Sequence, residues 1–365
     1  MALHVRGVLL PDDEVRDLWL VGDRVTTEPV PGAETVSSGG FILPGLVDAH
    51  CHIGIASGSL PVGGPAEARR LAAIDRDAGV LAIRDAGSPY PYPELDDDPD
   101  VPRLARAGRH VAPPRRYLRD IGVEVGADEV ATTVAAQAKA GNGWVKLVGD
   151  WIDRNVGDLA PAWDERTLRS AVAAAHDAGA RIAAHVFGEE AVATLVRAGI
   201  DSVEHGTGLS PDLIDLMAAQ GTALVPTMIN IQTFGDIAAR ADAKFPGYAG
   251  HMRALGAGFP AVVRAAAEAG VPIYVGSDAG GGIDHGLAAR EMLLLHEQAG
   301  MPPLDVLRAG SWGARQWLGF PGLVEGGLAD LVVYDEDPRA DLRALLHPRR
   351  IILRGRVVSP GRPGD

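Results

Sequence analysis

One cysteine, Cys51, occurs in the 365 residues of this chain. No intrachain disulfide can form, so the fold is held by its core, and nothing points to an oxidising compartment. Aromatic residues are scarce, at 5%, and with abundant alanine and glycine this speaks for helices packed closely on a sheet rather than an aromatic-rich all-β fold. Basic residues are outnumbered, 34 against 48 acidic ones, leaving a formal charge of −14. Binding a phosphate backbone needs a basic surface, so nucleic acid is not an expected partner. No run of about 18 apolar residues occurs, so no membrane span is expected. Met1-Ala2-Leu3-His4-Val5-Arg6 has neither the basic start nor the apolar core of a signal peptide, and a cytoplasmic location is the expectation.

What is present is a repeating step in which a helical stretch closes on glycine and a short apolar run follows at once. Gly79 precedes Val80-Leu81-Ala82-Ile83, Gly141 precedes Trp144 to Val148, and Gly179 precedes Arg181 to His185, with the same step at Gly199, Gly221 and Gly270. Each is read as a helix end feeding a strand. Asp164 and Ser210-Pro211-Asp212 read as helix starts. Strand-like runs end near His52, Asp85, Ala112, Lys146, His185, His205, Thr227 and Asp278. Eight strands alternating with helices make an α/β chain with a (β/α)8 TIM barrel, an open doubly wound sheet being the alternative. The two ends differ: Val5 to Leu10 with Leu18 to Val25, then Leu331 to Tyr334 and Ile351 to Val358, read as strands of one small β-sandwich domain built from both termini. The expected boundaries are 1–43 and 323–365 for this accessory domain and 44–322 for the barrel. Asp96-Asp97-Asp98-Pro99-Asp100 reads as a solvated loop.

His50 and His52 stand two apart at the end of an apolar run, so on a strand both imidazoles face one side and converge. In a barrel, residues ending different strands meet at the carboxyl-end mouth. Lys146, His185, His205 and Asp278 each end such a run. Taken singly, His185 also reads as a core histidine, His205 as a neighbour of a helix cap, Asp278 as a turn residue and Lys146 as a snorkelling lysine. Taken together, four imidazoles and a carboxylate suit zinc or a similar divalent ion. A buried lysine beside cations loses its proton readily, and neutral lysine can add carbon dioxide to become a two-oxygen anionic ligand that bridges two metals.

These residues carry a resemblance. Gly45 to His52, Ile83-Arg84-Asp85-Ala86-Gly87, Val145-Lys146-Leu147, Ala184-His185, Val203 to Thr207, Val225-Pro226-Thr227, Gly276 to Gly280 and Gly326 to Val333 form an ordered set covering essentially the whole chain. The set resembles the amidohydrolase superfamily, in its prolidase-like and imidazolonepropionase-related branch. The resemblance implies that His50, His52 and Asp278 hold one divalent metal, His185 and His205 a second, both most simply zinc, with N6-carboxylated Lys146 bridging them. It implies hydrolysis of an amide-type C–N bond in a small-molecule substrate by a hydroxide shared between the ions. Asp278 would be the proton shuttle, with His205 and Lys146 also catalytic. The alternatives are a mononuclear hydrolase or deaminase of a cyclic C–N compound, a lactonase, or a non-catalytic relative kept as a scaffold; a homo-oligomer stays open.

Mononuclear deaminases of the superfamily carry a glutamate three residues after the histidine ending the fifth strand. Here Val186-Phe187-Gly188 follow His185, and Glu189 and Glu190 read as the first turn of the next helix. Related prolidase-like chains show Gly-Gly-His after the third strand, where this one has Ala112-Pro113-Pro114-Arg115-Arg116-Tyr117. Arg115 and Arg116 are candidates for holding a substrate carboxylate, with solvated loop charges the alternative. Tyr117, Asn230 and Tyr248 are candidate pocket residues. Gly280-Gly281-Gly282 lacks the Lys and Ser/Thr of a phosphate loop and reads as flexibility beside the site. Arg84 and Asp85 read equally as a structural pair or as support behind the metal ligands, His110, His251, His285 and His296 as surface or supporting residues, and Cys51 as pointing away from the metals.

Overall fold

The structure, a computed structural model, describes residues 2–56 and 58–358. Its centre is a ring of parallel strands: Leu46–Cys51, Val80–Asp85, Arg103–Arg106 continued by Val111–Ala112, Trp144–Val148, Arg181–Val186, Ser202–His205 and Ala223–Val225. Single bridges complete it, Ala107 to Trp144, Leu224 to Ile273 and Cys51 to Ala279. The eighth strand, 272–279, pairs on both sides: Tyr274 N donates to Leu224 O, while Ala49 N donates to Val275 O and Asp278 N to His50 O. The ring therefore closes as a (β/α)8 barrel, and its strands are buried at nearly every position because helices cover the outside and side chains fill the inside.

The connecting helices start and stop where the residues dictate. Asp164 accepts from Thr167 N at 2.8 Å and caps the helix Glu165–Asp177, and Pro211 opens the helix Pro211–Gln220. Gly79, Gly179, Gly199, Gly221 and Gly270 take the left-handed conformation expected of them. Gly141 does not: its φ is −83°, and a Cβ there would stand 2.5 Å from Arg106 O. Glycine is needed at that position for close approach to the third strand, not for its dihedral freedom.

The termini build one seven-stranded sheet in the order Arg356–Val357, Arg350–Leu353, Leu331–Tyr334, Glu34–Pro44, Leu3–Leu9, Glu14–Val21, Arg24–Thr26. It curls on itself: Val25 N donates to Gly327 O and Gly326 N to Val25 O, so the last strand closes against the chain leading into Leu331–Tyr334. The two halves face each other over a separate core that includes Val5, Leu18, Leu20, Ile42, Leu331 and Val333. The run Ile351 to Val358, expected as one strand, is a hairpin turning at Arg354 and Gly355, both at positive φ.

Asp330 fastens this sheet to the barrel. Fully buried, it accepts from Arg103 Nε at 2.9 Å, Arg315 Nη2 at 2.9 Å and Arg354 N at 2.8 Å. The acidic run is a solvated loop that also carries ion pairs: Asp96 pairs with Arg106 at 2.6 Å, Asp98 with Arg69 at 2.6 Å and Asp100 with Arg356 at 2.9 Å. Among the described residues no helix is long and apolar enough to cross a membrane.

Candidate metal centre

Strand alternation turns His50 and His52 into the barrel mouth and Cys51 out of it. Asp278, in the left-handed region at φ 59°, brings Oδ1 to 3.2 Å from both His50 Nε2 and His52 Nε2. Asn230 donates to its other oxygen at 2.8 Å. Lys146 Nζ lies 3.2 Å from His50 Nε2, so the fourth strand delivers its amine to the same point. His185 Nδ1 meets His205 Nε2 at 2.9 Å, and His205, itself at φ 67°, bonds Thr227 Oγ1 through Nδ1 at 2.7 Å. His205, Thr227 and Asp278 all hold left-handed backbones at strand ends, conformations that cost a residue with a Cβ and that concentrate at functional sites.

Each ligand candidate has a partner that fixes it. His52 Nδ1 donates to Gly87 O at 2.7 Å, leaving Nε2 for the mouth. His50 Nδ1 lies 2.6 Å from Glu204 Oε2, which Arg84 Nη2 also bonds at 2.6 Å. Carboxylate behind imidazole is the arrangement that orients metal-binding histidines. Burial works to raise Glu204, but Arg84, Lys146 and His50 outweigh it and hold the carboxyl well below its usual range. Asp278 is likewise held low against burial, by His50, His52 and His205. Burial brings the Lys146 ammonium down to about 8, Glu204 resisting and Arg84 assisting. Burial and Lys146 lower His185 to about 3, and burial and His185 take His205 well below its ordinary value, so both rings are neutral as ligands must be.

Divalent metal fits this set. His185 Nδ1 and His205 Nε2 converge at 2.9 Å with both rings neutral, and His50, His52 and Asp278 offer ligand atoms within 4.8 Å of one another. The site opens into a cavity of about 580 Å³ walled by Tyr117, Trp151, Leu159, Phe187, Ile237 and Tyr248. A larger cavity of about 740 Å³ opens at the other end of the barrel beside Tyr274 and Trp317, but among the described residues no convergent set of ligand atoms lines it.

Residues 41–358 match the amidohydrolase family. The chain belongs to that family. Proteins of this family generally use divalent metals and hydrolyse amide-type bonds. An uncharacterised protein of Mycobacterium tuberculosis is 51% identical over 98% of this chain and 96% of its own length. The Aspergillus niger ochratoxinase is 25% identical over 62% of this chain and 48% of its own. A solved Xaa-Pro dipeptidase with methionine in its active site superposes with a TM-score of 0.80 at 24% identity, covering 98% of this chain and 99% of that one, a likeness of fold.

Within this amidohydrolase, Tyr117, Asn230 and Tyr248 line the cavity, whereas Arg115 and Arg116 do not. Arg116 is engaged elsewhere, bonding Asp153 Oδ2 at 2.9 Å and Ala160 O at 2.8 Å, which pins the loop after the third strand to the hairpin carrying Trp151. Arg84 and Asp85 point to opposite sides: Arg84 runs to Glu204, and Asp85 accepts from Gly87 N and Ser88 Oγ. Gly280 is not a flexible joint, since a Cβ there would stand 2.8 Å from His52 O and 2.9 Å from His52 Cβ. Glu189 does open the helix Glu189–Ala198, where it meets His251 at 2.9 Å. His110 is fully buried and lies ring to ring with His52 and Tyr117. Sequence reasoning missed the partnering role of Glu204, adjacent to His205 in the very motif quoted, and missed Asp150. Burial raises the Asp150 carboxyl to about 7 against the bonds it accepts from Gly188 N and Phe187 N.

Proposed function

We propose that this amidohydrolase hydrolyses the amide bond of a dipeptide, an N-acyl amino acid or a similar small amide, with a binuclear centre. His50, His52 and Asp278 would hold one ion, His185 and His205 the other, and carboxylated Lys146 both. The observation that carries this reading is the buried lysine, lowered to about 8, that meets His50 Nε2 at 3.2 Å inside the ring of four histidines. A buried amine that desolvation helps to deprotonate can become a carbamate, which supplies the anionic oxygens that such a centre requires.

The ions, when bound, supply a Lewis acid for the carbonyl and lower the pKa of water toward neutrality. Asp278, kept anionic and aimed by Asn230, is placed to take the proton released at the mouth and return it to the leaving amine. Thr227 and Glu204 fix the tilt of His205 and His50. The aromatic and aliphatic wall accommodates an apolar flank of the substrate. Arg240, which lines the cavity and makes no ion pair among the described residues, is the guanidinium we assign to a substrate carboxylate in place of Arg115 and Arg116.

Metal analysis of the loaded protein, followed by a screen against dipeptides, N-acyl amino acids, lactams and lactones, tests this. Binuclear protein that cleaves linear amides supports it. A single ion with unmodified Lys146 and turnover of a cyclic substrate instead supports the mononuclear alternative.

A further inference from the structure

On the back of the strand that carries His50 and His52, three more ligand-type side chains meet. Cys51 Sγ lies 3.6 Å from Asp75 Oδ2 and 3.6 Å from His285 Nδ1, and His285 Nδ1 lies 2.8 Å from Asp75 Oδ2. Cys51 and Asp75 are completely buried and the His285 side chain is 4% exposed. The three come from three elements: the first barrel strand, the helix Pro65–Asp77, and the loop that follows Asp278.

We propose that Cys51, Asp75 and His285 form a separate, structural binding site for a divalent transition metal such as zinc. Tetrahedral zinc with bonds near 2.3 Å to sulfur and 2.0–2.2 Å to nitrogen and oxygen puts sulfur roughly 3.5 Å from its fellow ligands, and nitrogen roughly 3.4 Å from oxygen. The two sulfur distances already match. The nitrogen-to-oxygen distance is shorter, as expected where a proton sits between the atoms in place of an ion. Binding releases two protons, one from the thiol and one from between His285 and Asp75, and forms three bonds to the protein, with a water molecule as the fourth ligand.

Charge favours a cation here. Asp75, Asp48 and Asp85 all place negative charge near Cys51, and Asp75 holds His285 at 2.8 Å. The same negative charge attracts a divalent ion. The site would tie together the strand bearing His50 and His52, the loop leaving Asp278, and a helix outside the barrel. Gly286 N, donating to Asp75 Oδ1 at 2.6 Å, already holds that loop from the other side.

The test exploits the single cysteine. Protein produced in cobalt-supplemented medium, so that buried sites fill during folding, is examined for a thiolate-to-cobalt charge-transfer band. The barrel mouth offers no sulfur, so a band reports this site alone and is independent of whether the mouth binds metal or hydrolyses amides. The band is expected in the wild type and is expected to vanish in Cys51→Ser and His285→Asn, each with a loss of about one metal equivalent. Should Cys51→Ser not fold, the His285→Asn variant carries the comparison. Folded wild-type protein without the band overturns the proposal and leaves the trio as a proton-bridged hydrogen-bond cluster.

Discussion

Lys146 is the residue on which the chemistry turns, because it has two incompatible roles depending on its charge. As an ammonium it would repel cations from the mouth; as a carbamate it would gather them. Lys146→Ala is therefore expected to abolish amide hydrolysis and to lower metal content at the mouth, with short-chain carboxylic acids restoring part of both. Activity assays with and without added acid, beside metal analysis, check this. Glu204→Gln keeps the shape behind His50 but removes the charge that Arg84 supports, and metal affinity is expected to fall about 10–100-fold, read by competition with a chelator. Gly280→Ala must place a Cβ 2.8 Å from His52 O at a φ of +107°. A loss of roughly 1–3 kcal/mol in stability is expected, measured by chemical denaturation, along with weaker metal binding as His52 shifts.

Elements meet around the cavity through contacts that no spacing rule reveals. His251 on the long helix Pro246–Glu268 joins Asp158 of the hairpin and Glu189 of the neighbouring helix, each at 2.9 Å. Burial works to lower this histidine, but the two hydrogen bonds win and raise it above its ordinary 6.5. The stabilisation is thus complete below that ordinary value and is lost as pH rises through the higher folded one. The group is partly exposed, so the gain stays under about 1 kcal/mol. His251→Asn is expected to destabilise the protein near pH 5.5 and to have little effect near pH 9, as denaturation curves at the two pH values would show. The residues that meet at the mouth are legible because a barrel strand end is marked by an apolar run, and His50, His52, Lys146, His185, His205 and Asp278 each stand on such a mark. What was not legible lies across strands. Arg84 reads equally as a partner of Asp85 or as support for a ligand, and it takes the second role through Glu204, 120 residues away, because successive side chains on a strand face opposite ways. Arg116 reads as a substrate clamp or a solvated loop charge and is neither, since its guanidinium meets a hairpin whose position no local pattern fixes.

The molecule as a whole is a closed barrel carrying a sheet built from its two ends, and a buried ionic cluster stands at the join beside the apolar contacts of Val332, Tyr334, Ile351 and Leu353 with the barrel core. Asp330, completely buried, answers to Arg315 and Arg103. Replacing it with asparagine strands the buried Arg315 guanidinium, while Arg103 keeps Asp23 at 3.6 Å, and a loss of about 3–5 kcal/mol is expected, seen as a lower thermal midpoint. An Asp330→Asn protein as stable as the wild type would show that the terminal sheet is held by its apolar contacts alone. The alternation of helix and strand and the different texture of the two ends made this architecture readable from composition and spacing. The ion pairs of Asp96, Asp98 and Asp100 were not readable, because acidic runs with and without facing arginines look alike in one dimension.

The central claim is that two ions share a carboxylated lysine at the mouth of this barrel. An anomalous-difference map from crystals of the metal-loaded protein tests it most directly. Two peaks among His50, His52, His185, His205 and Asp278, with density for a carbamate on Lys146 Nζ between them, are expected. A single peak beside an unmodified lysine would contradict it.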